Sequence, residues 1–140
     1  MKIKLDDGAY MPERAHETDA GLDLKAREGQ MIWSGECAVF DTGVHIALPH
    51  CFYGKIESKS GLNVNHDIVS CGGVIDEGYT GSIKVKLYNL GKTSYRVHAG
   101  DKIAQLVIMP YCAPKLELVS FLDELGQSDR GENGFGSTGR

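Results

Sequence analysis

Residues 83–88 read Ile-Lys-Val-Lys-Leu-Tyr. Ile83, Val85 and Leu87 fall on one face and Lys84 and Lys86 on the other, the period of two that marks a half-buried strand. Working outward, Val44–Leu48, Phe52–Glu57, Tyr95–His98 and Lys115–Val119 follow similar patterns. Ile103–Met109 is nearly continuous and apolar, as expected of a strand buried on both faces. Turn signals stand between these runs at Asp6-Asp7-Gly8, Ser34-Gly35, Asn89-Leu90-Gly91-Lys92 and Ala99-Gly100-Asp101. Glycine is abundant, 18 of 140 residues, with only 4 prolines and no repeat period; that is about twice the ordinary share of glycine. No window of a dozen residues carries a helical stripe. One short helix is expected from Ser60, read as its N-cap, toward His66. Together these features predict an all-β protein, a jelly-roll-like sandwich or barrel with one short helix.

Length and charge remove several classes of function. A chain of 140 residues is one domain's worth and buries a real core. No apolar run approaches the roughly 20 residues of a membrane helix. Met1–Asp6 alternates charged and apolar residues, unlike a secretory leader, so a cytoplasmic protein without a membrane partner is expected. The net charge of -4 weighs against a direct nucleic-acid binder. Cys37, Cys51, Cys71 and Cys112 have no C-x-x-C or zinc-finger spacing, and reduced core thiols are expected. His16, His45, His50, His66 and His98 form no metal-pair spacing and are read as structural or exposed.

The chemistry-bearing residues lie in five short segments. The first is Asp19-Ala20-Gly21-Leu22-Asp23-Leu24-Lys25-Ala26. Ser58-Lys59-Ser60-Gly61-Leu62 is the second, and Gly73-Val74-Ile75-Asp76-Glu77-Gly78-Tyr79-Thr80-Gly81 the third. Gly100-Asp101-Lys102-Ile103-Ala104-Gln105-Leu106 follows. The last is the stretch 126–140, GQSDRGENGFGSTGR, which holds five glycines and a single bulky apolar residue, Phe135. That stretch cannot pack a core, so residues 1–125 are expected to form the domain and 126–140 a flexible arm. Its glycines, Ser137, Thr138 and Arg130 are the groups that gather on a phosphate, and Phe135 between glycines can stack on a base. No G-x-S-x-G elbow is present, which removes a serine hydrolase of that type.

In this order and spacing the five segments resemble the ordered motifs of the trimeric dUTPase family, from about Asp19 to Gly139. The resemblance implies hydrolysis of dUTP to dUMP and pyrophosphate by in-line attack of water on the α-phosphate. It also implies Mg²⁺ as cofactor and a homotrimer whose sites are shared between chains. Asp76 matches the aspartate that orients the attacking water, and Tyr79 the tyrosine beneath the deoxyribose. Asp23 matches the aspartate that helps hold Mg²⁺ through water; Asp19 is read as a neighbour of that turn. Ser60 matches the serine that donates to the oxygen bridging the α and β phosphates. Gln105 matches a phosphate-binding glutamine, Arg130 an arginine on the γ-phosphate and Phe135 the aromatic that stacks on uracil. Gly136, Ser137 and Thr138 accompany Arg130. Ser58, Lys59, Gly61, Gly73, Val74, Ile75 and Lys84 complete the substrate-binding set. The base is expected to be read by backbone groups of a hairpin at about Ile68–Val74.

Three departures from the family pattern stand out. Lys59 and Lys102 occupy positions where arginine is usual, and a point charge replaces a planar fork. Gly78 stands where many members carry aspartate. These changes predict altered efficiency rather than loss of activity. Gly78 also occurs in the related dCTP deaminases, but the glutamate those enzymes need corresponds here to Lys86, which disfavours deamination. A signalling relative that keeps the nucleotide site is the rival class, and the sequence leaves a regulatory protein partner open.

Overall fold

The computed structural model describes residues 1–71, 73–128 and 131. Among these residues eleven strands run in chain order: β1 Lys2–Leu5, β2 Gly21–Lys25, β3 Gln30–Ile32, β4 Cys37–Asp41, β5 Val44–Ala47, β6 Phe52–Ser58, β7 Ile68–Ser70, β8 Val74–Ile75, β9 Lys84–Asn89, β10 Tyr95–Val97 and β11 Lys102–Pro110. One helix, α1 Ser60–His66, lies between β6 and β7, and a 3₁₀ turn spans Leu122–Leu125. The largest sheet has the order β2-β11-β6-β8, a second is β4-β9-β7, and β1-β5 and β10-β3 are two-stranded. All pairings are antiparallel.

Alternation builds the core. In β9 the buried residues Val85, Leu87 and Asn89 alternate with exposed Lys84 and Lys86 and partly exposed Tyr88. Phe40 and Ala38 do the same in β4. Their inner faces join Leu24, Ile56, Ile103, Ala104 and Leu106 of the larger sheet in one hydrophobic cluster. Each fully buried Leu or Ile contributes roughly 1.5–3 kcal/mol. Two buried polar side chains are satisfied internally. Thr42 Oγ1 donates to Ile83 O at 2.7 Å, and Asn89 Nδ2 donates to Ile32 O at 2.9 Å and Thr93 O at 2.8 Å.

The all-β architecture and the short helix match the expectation, with four corrections. The helix begins at Ser60 itself, and extended Lys59 is its N-cap, without a side-chain capping bond. The first turn is closed instead by Asn63 N–H donating to Lys59 O at 3.0 Å. Second, Lys115–Val119 is not a strand: Leu116 and Leu118 are 96% and 99% exposed. The period-two pattern is present, but no neighbouring edge among the described residues pairs with it, and a lone strand leaves its backbone groups to water. Third, the four cysteines are free and exposed rather than core thiols. Cys37 falls on the outward phase of β4, and Cys51 occupies a tight turn at φ 63°. Finally, Ile68–Val74 is not a paired hairpin among the described residues. β7 joins β9 while β8 joins β6, so the segment crosses between sheets.

β11 is doubly buried only in its first half. Ile103, Ala104 and Leu106 are buried, whereas Met109 and Pro110 are exposed. No helix among the described residues is long and apolar enough to cross a membrane.

Candidate active site

The central position of β11 assembles the first cavity. Its register sets Gln105 opposite Asp23 of β2 on one side and Glu57 of β6 on the other, with Ala104 opposite Ser58. The first, second and fourth sequence motifs therefore meet at one end of the sheet. They line a cavity of about 380 Å³ that includes Asp19, Gly21, Asp23, Lys59, Ser60 and Gln105. Gln105 donates from Nε2 to Ser58 O at 3.2 Å. A Cβ at Gly21 would sit 2.3 Å from Gln105 Oε1, so the absence of a side chain there lets Gln105 lie across the strand.

Asp23 is the electrostatic centre of this cavity, only 4% exposed. Its Oδ1 lies 2.5 Å from Lys59 Nζ and its Oδ2 lies 2.7 Å from Lys102 Nζ. Burial opposes the carboxylate charge, but the ammoniums of Lys102 and Lys59 outweigh it and hold the pKa below the ordinary value. Lys102 gains correspondingly from Asp23, and its pKa is raised. The sequence marks both lysines as replacements for the usual arginines, but nothing in it shows that they close together on Asp23. Asp19 closes the adjacent loop, accepting from His16 N–H at 3.0 Å.

Ser58 has a structural commitment. Its Oγ accepts from Ser70 N–H at 2.9 Å and lies 3.1 Å from Ser70 Oγ, tying the end of β6 to β7. Ser60 is exposed in the first turn of α1 and faces the cavity, and Gly61 follows it with open space around its Cα. Lys84 is not in either candidate cavity. It lies opposite Asp41 in the β4–β9 register.

A second cavity, of about 470 Å³, is lined by Tyr53, Val74, Asp76, Glu77, Gly78 and Tyr111. Asp76 is exposed and follows β8, where Ile75 turns into the core and Val74 out of it. Tyr79 N–H donates to Asp76 O at 3.0 Å, closing a four-residue turn. The Tyr79 ring lies over Gly81, where a Cβ would come within 2.5 Å of its hydroxyl, and that hydroxyl donates to Ser82 O at 3.0 Å. Gly73 has φ 111° and accepts from Ile56 N–H at 2.9 Å. Gly78 needs no such freedom: a Cβ there meets nothing, and its φ is not in the left-handed region. Gly78→Ala is therefore expected to stabilise the fold by about 0.4–1 kcal/mol, through the unfolded chain. A rise of a few degrees in the calorimetric midpoint checks this; a fall contradicts it.

Glu77, which the sequence did not single out, is the best-anchored side chain of this cavity. His50 lies 2.9 Å from Oε1, while Tyr111 O–H (2.8 Å) and Cys51 N–H (2.9 Å) donate to Oε2. His50 first, then Tyr111 and Cys51, lower its pKa to about 2. Asp6 is lowered to about 2 by Lys4 and then His45. A carboxylate with a depressed folded pKa stabilises above its unfolded value and loses that contribution as pH falls through the folded one. Unfolding free energy is thus expected to decline between about pH 4.5 and 2. Urea titrations across that range check it, and a flat profile contradicts it. His45 has the opposite sign. Thr80 O at 2.8 Å from Nδ1 and Asp6 at 3.2 Å from Nε2 raise its pKa, so its contribution fades as pH rises through that value.

Arg130, Phe135, Gly136, Ser137 and Thr138 lie outside the described residues.

The two cavities share no lining residue. They sit at opposite ends of β6, one touching Tyr53 and the other Lys59, a span of about 20 Å in extended chain.

The chain is similar to curated enzymes and to solved structures over nearly its whole length. A deoxyuridine 5'-triphosphate nucleotidohydrolase of Clostridium acetobutylicum is 46% identical over 142 residues, covering 99% of this chain and 96% of its own length. The enzyme of the same name from Crocosphaera subtropica is 43% identical, covering 98% of this chain and 96% of its own. Among solved structures, the Staphylococcus bacteriophage 80alpha dUTPase with dUPNHPP superposes with a TM-score of 0.92 at 33% identity, covering 99% of this chain and 98% of that one. A point mutant of the dUTPase from phage phi11 of S. aureus, described with a structural Mg(II) ion, gives 0.81 at 30% identity over 87% of this chain and 97% of its own. The dUTPase family model matches residues 7–139. That span takes in all four segments that the sheet and its connections bring to the two cavities, and on it the chain belongs to the dUTPase family.

Proposed function

We propose that this chain hydrolyses dUTP to dUMP and pyrophosphate. The observation that carries the proposal is the convergence of Asp23, Lys59, Ser60 and Gln105 on one polar cavity, with Asp76 exposed in another. The first cavity receives the phosphates. Lys59 and Lys102 supply cationic charge, Ser60 donates to the oxygen between the α and β phosphates, and Gln105 binds phosphate. Asp76 orients the attacking water and takes its proton, while Tyr79 supports the deoxyribose. Backbone groups at Gly73, Val74 and Ile75 read the base. The arm 126–140 closes over the nucleotide, with Phe135 on the uracil, Arg130 on the γ-phosphate and Gly136, Ser137 and Thr138 beside it.

Magnesium fits as an ion carried by the triphosphate. No group of three or more His, Cys, Asp or Glu side chains among the described residues could hold a metal. The phosphate cavity offers one buried carboxylate, Asp23, already contacted by two ammoniums. That donor set suits a hydrated ion approached through water, since Mg²⁺ keeps several waters and takes few carboxylates. When bound, the ion supplies positive charge to the phosphate oxygens.

The working form is a homotrimer in which one chain's phosphate cavity faces another chain's Asp76. Support comes from the separation of the two cavities and from the uncovered Leu116, Leu118, Phe121, Leu122 and Leu125, which a second copy would cover. A cytoplasmic location accords with a nucleotide substrate.

Purified protein offered dUTP, dCTP, dTTP and UTP with Mg²⁺ is the direct test. Formation of dUMP and pyrophosphate from dUTP alone supports the proposal. Ammonia release from dCTP, or binding of dUTP without turnover, overturns it.

A further inference from the structure

Glu77 is a carboxylate inside the cavity of Asp76, a place where a polyanionic substrate would repel it. Its geometry gives it a compensating purpose. It joins three separate segments. One is the turn Pro49–Phe52 between β5 and β6, closed by Phe52 N–H to Pro49 O at 3.2 Å. Another is the end of β11, where Tyr111 N–H donates to Cys51 O at 2.9 Å. The third is the turn Asp76–Tyr79 itself. The three donors to Glu77 are His50 at 2.9 Å, Cys51 N–H at 2.9 Å and Tyr111 O–H at 2.8 Å. Cys51 holds a left-handed φ of 63°, rare for a residue with a side chain, while its N–H points at the carboxylate.

On the reading that Asp76 orients the attacking water, we propose that Glu77 is a positioning residue for Asp76. The carboxylate of Asp76 is exposed, and the chain immediately beside it is fastened at three points. Glu77 thereby fixes the backbone from which Asp76 projects, without touching substrate itself. Its own charge is met by three donors, so the pair of adjacent acids does not present two free anions to the triphosphate. Small displacements of a water-orienting group are expensive in rate, about a hundredfold for 1 Å.

The test is steady-state kinetics with dUTP and Mg²⁺ on the wild-type chain and on Glu77→Gln, Glu77→Ala, Tyr111→Phe and Asp76→Asn, with thermal midpoints for each. Glu77→Gln keeps the shape but turns an amide N–H₂ toward a donor. The expected result is a kcat about tenfold or more lower in both Glu77 variants, KM for dUTP within about twofold, and a smaller kcat loss in Tyr111→Phe. Measurements at a temperature well below every midpoint separate this from loss of folded protein. If wild type is active and Asp76→Asn is dead, but the Glu77 variants keep wild-type kcat or change only KM, the positioning role is overturned and the site assignment stands. A kcat loss that disappears once unfolding is avoided overturns it as well. An inactive wild type overturns the functional reading on which it rests.

Discussion

Asp76→Asn is expected to lower kcat for dUTP by about a hundred- to ten-thousandfold, the range for losing a positioned general base. Its midpoint should stay within about 2 °C of wild type, because surface substitutions away from special contacts shift stability by about 0.5 kcal/mol or less. Asp76 is exposed, and the bond that shapes its turn, Tyr79 N–H to Asp76 O, uses the backbone and survives the change. Asparagine retains size and one acceptor oxygen but cannot take the proton from water. KM should change little, since on the proposed reading the phosphate contacts lie in the other cavity. Rapid-quench product analysis together with calorimetry checks both halves. Full activity in Asp76→Asn would remove Asp76 from the chemistry, whereas a collapsed midpoint would make it structural.

Gly73→Ala is expected to cost roughly 3 kcal/mol of stability, about 10 °C in midpoint. Two independent penalties fall on the same atom. The backbone there has φ 111°, which a side chain rarely adopts, and the new Cβ would lie 2.6 Å from Ile56 Cγ1 and 2.7 Å from its Cβ. Ile56 is a buried member of the core, so it cannot swing away as a surface side chain would. Gly73 also accepts the Ile56 N–H bond that continues the β6–β8 pairing. A displaced Gly73 would drag Val74 and Asp76 with it, so nucleotide affinity should fall alongside stability. Denaturant unfolding monitored by circular dichroism checks the first effect and isothermal titration with a non-hydrolysable dUTP analogue the second. A midpoint near that of wild type would mean that Ile56 repacks freely.

The parts of this molecule that were legible in the sequence are those set by local period and local turn chemistry. Ile83–Tyr88 and Phe52–Glu57 alternate enough to declare their strands, and α1 runs from Ser60 to His66 as expected, though with Lys59 as its N-cap. Lys115–Val119 alternates equally well yet has no paired edge among the described residues, because a strand exists only where an edge accepts it, and alternation carries no information about edges. Cys37 shows the same limit: a core thiol was expected, but which of two faces it took depended on the phase of β4. For the site, the motifs identified Asp23, Lys59 and Gln105 one at a time. Their meeting follows from β11 standing between β2 and β6, which only the sheet order reveals. Glu77 was visible as a letter within its motif, but His50 and Tyr111, which define its surroundings, lie 27 and 34 residues away.

The length of β6 has a genetic consequence. In the proposed homotrimer, with the phosphates bound at one end of that strand and Asp76 near the other, a chain spoiled at one end still carries an intact half at the opposite end. Two dead alleles, one altered at Lys59 and one at Asp76, would then complement when co-expressed. Random assortment of equal amounts into closed rings gives both good halves to about a quarter of the junctions. Conversely, one chain altered at both ends would spoil two of the three junctions in any trimer it entered, a partial dominant-negative inherited through assembly rather than through abundance.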